Sequence, residues 1–503
     1  MSFCGLVGGW VYRLTMRSGA RAGAIAGTAT LAAMYVSALL TGIRPLPDVL
    51  SQPVLAAMPG PVVGFLIDRL QHLGKVLEEA GLVVGIVVAL AVLGAAYGAL
   101  NARRRIPHLA LAAAALGWAV LCLVVLPLAG DGLLGLNEGI ATPLVWAVLF
   151  LIYGVLLEAA AAPAPEPGAV DQGRRRIPLA LAGLGLLILG GRLLPGWYRT
   201  VAGAPEAGLS GPSPELTPVG NFYVVSKNFS DPAVSTQGWS LQVQGLVDTP
   251  LRLSYQELRQ LPAQTQYVTL ECVSNNVGGP QISTGQFTGV MLRDVLDKAG
   301  IRAAAAAVLF RARDGYEESI PLSLLTAGPE VMVAYDLDGA PLPQAHGFPA
   351  RILIPGHYGM KGPKWLDSIE AVPGVVNGYW ENQGWNRDAV VKTMSRIDAP
   401  ADGAILRAPV AVVGVAFAGS RGIGRVEVSA DGGRSWVDAQ LKPPLSALTW
   451  TLWSYTWSAA TEGQYTLQVR ATDLAGQVQT AESRPSYPDG ASGYHTIRVN
   501  VGR

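Results

Sequence analysis

Between residues 22 and 194, stretches of about 20 mostly apolar residues, each long enough to cross a bilayer as a helix, follow one another; beyond them the chain reads as ordinary globular protein. There are five of them, from Ala22 to Thr41, Gly81 to Leu100, Leu109 to Leu128, Ile140 to Leu157 and Ile177 to Leu194. Residues 1–198 are therefore expected to form an all-α transmembrane bundle of five helices. The mean hydropathy of +0.33 averages two unlike parts. The segment from Pro61 to Ala80 carries Asp68, Arg69, His72, Lys75, Glu78 and Glu79 and reads as an amphipathic helix lying in the interface, with a re-entrant segment left open.

Basic residues orient such a bundle. Arg13, Arg17 and Arg21 precede the first stretch, Arg103 to Arg105 join the second to the third, and Arg174 to Arg176 precede the fifth. With five spans all three clusters fall on one side, which places the N-terminus in the cytoplasm and everything after Leu194 outside it, in a multi-pass protein of the cell membrane. Gly173-Arg174-Arg175-Arg176-Ile177-Pro178 has two readings, arginines anchoring a helix end or an internal twin-arginine export signal. Only His72 and His108 could ligate a haem here, and neither lies mid-span, so no haem is expected; no clustered cysteines suggest an iron–sulfur cluster. A net charge of +1 gives no electrostatic case for nucleic acid.

Residues 199–218 are rich in Pro, Gly and Ser and read as a linker. From 219 to 394, strands such as Leu241 to Val247 and Val308 to Arg313 interleave with helices such as Ser254 to Gln260 and Met291 to Ala299, an α+β pattern. From 395 to 503 the pattern is alternation, in Val410 to Phe417, Arg425 to Ser429, Thr449 to Thr456, Gln464 to Thr472 and His495 to Val501, with a hairpin signal at Asp431-Gly432-Gly433. About seven short strands in this length suggest an all-β immunoglobulin-like sandwich.

The chain has three cysteines, and Cys4 and Cys122 lie in apolar N-terminal sequence. Cys272 instead ends a strand-like run and enters the polar, Gly-rich turn Val273-Ser274-Asn275-Asn276-Val277-Gly278-Gly279. With no second cysteine nearby, it is a buried small hydrophobe, a nucleophile, or a single thiolate ligand to a soft metal.

Residues from Phe222 to Arg503 resemble the sulfite oxidase family of molybdenum–molybdopterin oxidoreductases. The likeness is carried by Thr269-Leu270-Glu271-Cys272-Val273-Ser274-Asn275, by Ala345-His346-Gly347-Phe348-Pro349-Ala350-Arg351 through Pro355, and by Gly359-Met360-Lys361-Gly362-Pro363-Lys364-Trp365-Leu366. Farther on it is carried by Val426 to Gly433, Trp436 and Arg470-Ala471-Thr472-Asp473. It covers somewhat over half the chain and none of the apolar stretches. It implies a molybdopterin-binding domain followed by an immunoglobulin-like dimerisation domain, one molybdenum–molybdopterin per chain, and a homodimer through the C-terminal domain. It makes Cys272 the metal ligand and catalytic centre. It assigns Val225, Ser226, Lys227, Asn228 and Phe229 to a loop touching the pterin, Asp314, His346 and Arg351 to cofactor contacts, and Gly362, Pro363 and Lys364 to a turn around the phosphate. Backbone N–H groups plus a cation are what a phosphate needs.

The departures concern substrate. The family's anion-binding arginines fall where this chain has Ser226 and Val277, and a family tyrosine falls near Trp385. The resemblance therefore implies a pocket less cationic than one for sulfite, with Asn275, His357, Tyr358, Trp380 and Trp385 as candidate walls. The expected reaction is two-electron oxygen-atom transfer on a small molecule, with a separate protein or carrier taking the electrons. The alternatives are reduction of an S-oxide or N-oxide on the same cofactor, and a non-enzymatic, membrane-tethered binding module.

Overall fold

The computed structural model describes residues 3–104, 106–129, 131–136, 139–161, 177–189, 211–229, 231–327, 331–407, 409–459 and 461–502. The Arg174–Arg176 triplet and residues 199–210 of the linker lie outside them. The chain divides into two compact units, Met1–Met58 with Leu70–Ala204, and Pro59–Arg69 with Pro205–Arg503.

The first unit is helical: α1 (Phe3–Thr41), α2 (Leu46–Ala57), α3 (Gly60–Arg104) from Leu70 onward, α4 (Leu109–Val120), α5 (Thr142–Ala161) and the short α6 (Ile177–Leu189). Four helices are long and apolar enough to cross a membrane, over Met16–Thr41, Leu73–Ala102, Leu109–Leu128 and Thr142–Ala161. They correspond to the first four expected spans. The fifth is described only over Ile177–Leu189, and residues 190–194 of it lie outside the described residues. The expected interfacial helix of residues 61–80 is continuous with the second span, in one helix of 45 residues. The charged run contains no proline, so the backbone ladder carries through it. Instead of lying at a surface, Glu79 is buried and accepts a hydrogen bond from the Tyr35 hydroxyl at 3.0 Å.

Small residues let α1 and α3 approach closely. A Cβ on Gly19 would stand 2.3 Å from Gly94 O, and one on Gly23 2.4 Å from Leu90 O. This is the packing by which helices associate in lipid, where burial of apolar area drives nothing. Pro127 explains the π-helical turn Leu121–Val125 that follows α4. It cannot donate to the Leu123 carbonyl, and the preceding turn widens around it.

In the second unit one sheet has the order β2-β1-β10-β5-β6, from β1 (Ser240–Gly245), β2 (Leu251–Ser254), β5 (Ala307–Ala312), β6 (Glu317–Pro321) and β10 (Leu366–Val372). A second has the order β3-β4-β7-β8, with β9 (Arg351–Leu353) paired to β7 (Met332–Leu337). In it β3 (Ala263–Glu271) and β4 (Ile282–Met291) pair from Ala263↔Val290 to Glu271↔Ile282, while β8 is the two-residue Ala340–Pro341. Two helices fall where the sequence placed them. α7 (Tyr255–Gln260) begins with a capping box between Ser254 and Glu257, and α8 (Leu292–Ala299) turns Leu292, Val295, Leu296 and Ala299 to the core. Leu241, Val243, Phe310, Ile320 and Trp365 lie in one cluster between these elements.

The C-terminal part is a two-sheet sandwich. One sheet is β11-β13-β17-β16, from β11 (Met394–Ala399), β13 (Val410–Phe417), β16 (Gln440–Leu441) and β17 (Thr451–Trp457). The other is β12-β19-β18-β14-β15, from β12 (Ile405–Leu406), β14 (Ile423–Ser429), β15 (Val437–Asp438), β18 (Gly463–Asp473) and β19 (His495–Val501). Among the described residues six of these nine strands are six residues or longer, and the other three, β12, β15 and β16, are two-residue pieces, too short to show an alternation. Val412, Val426, Leu467 and Val499 fill the space between the sheets. Residues 211–218 pack with this unit: Thr217 N donates to Thr284 O at 2.8 Å, and Ser213 is buried.

Candidate active site

β3 sinks as it runs. Its first three residues are exposed and its last four are buried, so the chain delivers Cys272 to the interior. The loop back to β4 is closed by Cys272 N donating to Gln281 O at 2.9 Å and Asn275 N to Cys272 O at 3.0 Å. Asn275 staples it twice more. Its Nδ2 donates to Glu271 Oε1 and its Oδ1 accepts from Gln281 N, each at 3.0 Å. Asn275 thus braces the loop. The Cys272 sulfur lies 3.1 Å from Ser274 Oγ, which donates to Gln281 Oε1. Burial pushes the thiol above its ordinary pKa, against the pull of the Ser274 hydroxyl and backbone. Burial likewise pushes Glu271 up to about 7, against Asn275 and Arg396.

A second group of the residues singled out in the sequence is joined by hydrogen bonds. Lys227 Nζ donates to Asp314 O at 2.8 Å and to Asn228 Oδ1 at 3.2 Å. Asn228 Nδ2 donates to Asp314 Oδ2 at 2.9 Å, and Ser226 Oγ accepts from Asn228 N. Lys364 Nζ reaches back to Val225 O and Ala345 O, at 3.2 and 2.9 Å, over the ring of Trp365. The loop Val225–Phe229, the turn at Asp314 and the segments at 345–351 and 362–364 therefore form one cradle; Val225, Ser226 and Phe229 are half-buried in it. Gly362 is required there, because a Cβ would stand 2.6 Å from Ile352 O, and Pro363 O accepts from Ile352 N.

Arg351 and His346 carry the electrostatics. Arg351 is buried and makes one hydrogen bond, from Nη1 to His346 O at 3.3 Å; its Nε has no partner among the described residues. Burial lowers its pKa to about 10. His346 is pushed down to about 4 by burial and by Arg351 and Lys364, so its imidazole is neutral at physiological pH. A buried guanidinium with donors to spare calls for an anionic or strongly accepting group.

Tyr223 was not singled out in the sequence. Burial raises its pKa well above the ordinary range, reinforced by Cys272 and opposed by Arg351. A Cβ on Gly359 would lie 2.9 Å from that hydroxyl. The signal was present in its position, two residues ahead of the Val225–Phe229 loop. Tyr316, also missed, donates to Met360 O at 2.6 Å.

The remaining candidate walls divide. Tyr358 is buried, accepts from Lys392 N at 3.2 Å and packs where a Cβ on Gly490 would stand, so its hydroxyl is engaged in packing. His357 is half-buried, with burial lowering its pKa. Trp380 and Trp385 meet edge to face at 6.4 Å in a cluster with Val273, the neighbour of Cys272. The Trp385 Nε1 has no hydrogen-bond partner among the described residues.

Comparison with known proteins returns the same two domains. Residues 228–380 match the oxidoreductase molybdopterin binding domain, and residues 389–487 match the Mo-co oxidoreductase dimerisation domain. The chain is 32% identical over 249 residues to mitochondrial sulfite oxidase of Mus musculus, covering 40% of this chain but only 46% of that enzyme. It is 30% identical over 279 residues to sulfite oxidase of Arabidopsis thaliana, covering 44% of this chain and 70% of that one. Among solved structures it resembles the sulfane dehydrogenase SoxCD of Paracoccus pantotrophus, with a TM-score of 0.50 at 23% identity, over 57% of this chain and 84% of that one, a likeness of fold.

Proposed function

Because the chain belongs to the sulfite oxidase family of molybdopterin-dependent oxidoreductases, we propose that it is a membrane-anchored, extracytoplasmic enzyme catalysing two-electron oxygen-atom transfer on a small molecule. The observation that carries this reading is the buried, solitary thiol of Cys272 together with Arg351, a buried cation whose Nε has no partner among the described residues. A group that is both a soft metal and an anionic accepting ligand satisfies both at once. Molybdenum–molybdopterin is such a group, and when bound it supplies oxygen-atom transfer with water as source or sink of the oxygen. Cys272 would give it a thiolate, losing its proton on binding. Arg351, neutral His346, Lys227, Asn228, Asp314 and Lys364 would hold and orient it, with Val225 to Phe229 against the pterin and Gly362-Pro363 against the phosphate. Purified protein should carry one molybdenum and one pterin per chain, read by elemental analysis and pterin fluorescence. Protein with neither would leave only the binding-module reading.

The pocket supports a substrate other than sulfite. Ser226 Oγ is a hydrogen-bond acceptor for Asn228, and Val277 is apolar. Lys361 sits between two carboxylates, Arg421 is held by Asp473, Val391 O and Thr393, and Arg425 by Asp438 and Glu427. Each lost charge-assisted hydrogen bond costs roughly 1.5–3 kcal/mol. Sulfite is therefore expected to show a KM raised by at least about tenfold for each missing arginine, measured with an artificial acceptor. A low-micromolar KM with rapid turnover would sink the idea, and Ser226→Arg should improve sulfite use. A pocket less cationic than one for sulfite also favours the second reading, reduction of an S-oxide or N-oxide, assayed in parallel with a viologen donor.

The arginine clusters support a cytoplasmic N-terminus, with the catalytic unit outside and exported by a twin-arginine route if the Arg174–Arg176 cluster acts as its signal. A topology reporter fused after Gly196 should be active only outside the cytoplasm and one fused at Asn101 only inside; the reverse at either point removes a span from the count. A homodimer through the C-terminal sandwich and electron delivery to a separate carrier complete the proposal.

A further inference from the structure

We infer that the C-terminal sandwich has a role besides dimerisation: through Arg396 and His495 it positions the loop that presents Cys272. The loop from Cys272 to Gln281 is pinned from two sides. Its inner half is held by Asn275, as described above. Its outer half, Gly278-Gly279, is held by the sandwich.

Gly278 has a φ of +78°, which favours glycine, and a Cβ there would stand 2.4 Å from Cδ2 and Nε2 of His495. The imidazole of His495, at the start of β19, therefore lies against the loop backbone, and its Nδ1 accepts from Ile397 N at 3.0 Å. Next in the chain, Gly279 O accepts from Arg396 Nη1 at 2.7 Å. Arg396, in β11, is buried at 2% exposure and is itself fixed. Its Nε donates to Asp398 Oδ1 at 2.6 Å and its Nη2 to Ser213 Oγ at 2.8 Å. The strand leading into Cys272 is held from the same domain: Thr269 N donates to Leu448 O at 3.0 Å, and Trp450 N to Thr269 Oγ1 at 2.8 Å.

Welding two domains together does not require this pattern, since the β3 contacts alone would do it. A buried arginine aimed at one loop carbonyl, and a ring packed against the neighbouring glycine, fix the loop. Displacement of Gly278-Gly279 reaches Cys272 directly, because Gln281 and Cys272 share a hydrogen bond. Arg396 and His495 are positioning residues, acting on the thiol through the backbone.

The inference rests on the proposed role of Cys272 for its consequence, but its test does not. His495→Ala in the full-length enzyme should raise amide exchange of residues 273–281 by about tenfold or more, the scale of one lost local restraint, while exchange in β1 and β10 stays at the wild-type rate. Bound molybdenum should be lost faster on dialysis. His495→Gln keeps an acceptor for Ile397 N but no ring over Gly278, and should show the same loop-confined effect if His495→Ala misfolds. Unchanged exchange at 273–281 in a folded variant, or a rise spread evenly over the unit, would overturn the inference. Loss of molybdenum from Cys272→Ser with an unaltered loop in His495→Ala would reject the positioning role and leave the cofactor reading standing.

Discussion

Replacing Cys272 with serine is expected to abolish turnover while leaving the fold in place. The loop uses the backbone N and O of residue 272, to Gln281 and from Asn275, and serine supplies both unchanged. A hydroxyl at the side chain can still meet Ser274 Oγ. The thermal midpoint should therefore stay within a few degrees of wild type, as for a substitution that leaves no buried group unpaired. Activity should not survive, because serine offers a hard, protonated oxygen where a soft thiolate is needed. Loss of a group that merely supports a metal ligand costs 10–100-fold, so loss of the ligand itself should cost more than about 100-fold. Steady-state turnover with an artificial acceptor, alongside molybdenum content and a melting curve, decides it. Full turnover by the serine variant would remove Cys272 from the metal, and with it the site.

What could be seen in the sequence was what is written locally. Cys272 stood out because a thiol ending a strand and opening a Gly-rich turn is chemically unusual, and α7 because Ser254 and Glu257 cap each other three residues apart. The cradle around Lys227, Asp314 and Lys364 was legible only as an ordered set of blocks, since each residue alone could be an ordinary turn or surface residue. Long-range partners were invisible. Nothing near Lys361 in sequence says that it will lie between Glu318 and Glu381, 43 and 20 residues away. Asn275 was expected at a pocket wall for a similar reason. That both ends of its amide are bonded, to Glu271 and Gln281, shows only in the fold. The two-residue strands β12, β15 and β16 and the unbroken α3 escaped because pairing and helical continuity are decided by neighbours in space.

Lys361→Met is expected to be the most destabilising single change in the catalytic unit. The ammonium donates to Glu318 Oε1 and Glu381 Oε1, each at 2.6 Å, and the three side chains are 4%, 0% and 3% exposed. Glu381 also accepts from Gly378 N at the start of the short helix α9 (Tyr379–Asn382), so the cluster ties the turn Gly359–Lys361 to the segment bearing Trp380 and Trp385. Removing one partner of a buried ion pair strands the other, at a cost of about 3–5 kcal/mol. For a unit of this size that corresponds to a fall of roughly 10 °C in the melting midpoint. The pH dependence separates this from loss of packing. Glu318 is pushed from the ordinary 4.5 up to about 8 by burial, with Lys361 pulling down and Glu381 pushing up. An acid raised on folding contributes stability that is full below its ordinary pKa and is lost as the pH rises through its folded value, here between about 4.5 and about 8. Wild type should therefore lose some stability across that window, and Glu318→Gln, which cannot ionise, should lose less. Without Lys361 the downward pull on Glu318 is gone, and the deficit of Lys361→Met should be smaller at pH 5, where Glu318 holds its proton, and larger at pH 9. Lys361→Met combined with Glu318→Gln and Glu381→Gln should recover part of the deficit at alkaline pH. A deficit equal at pH 5 and pH 9 would show that Lys361 contributes by packing and not by its charge.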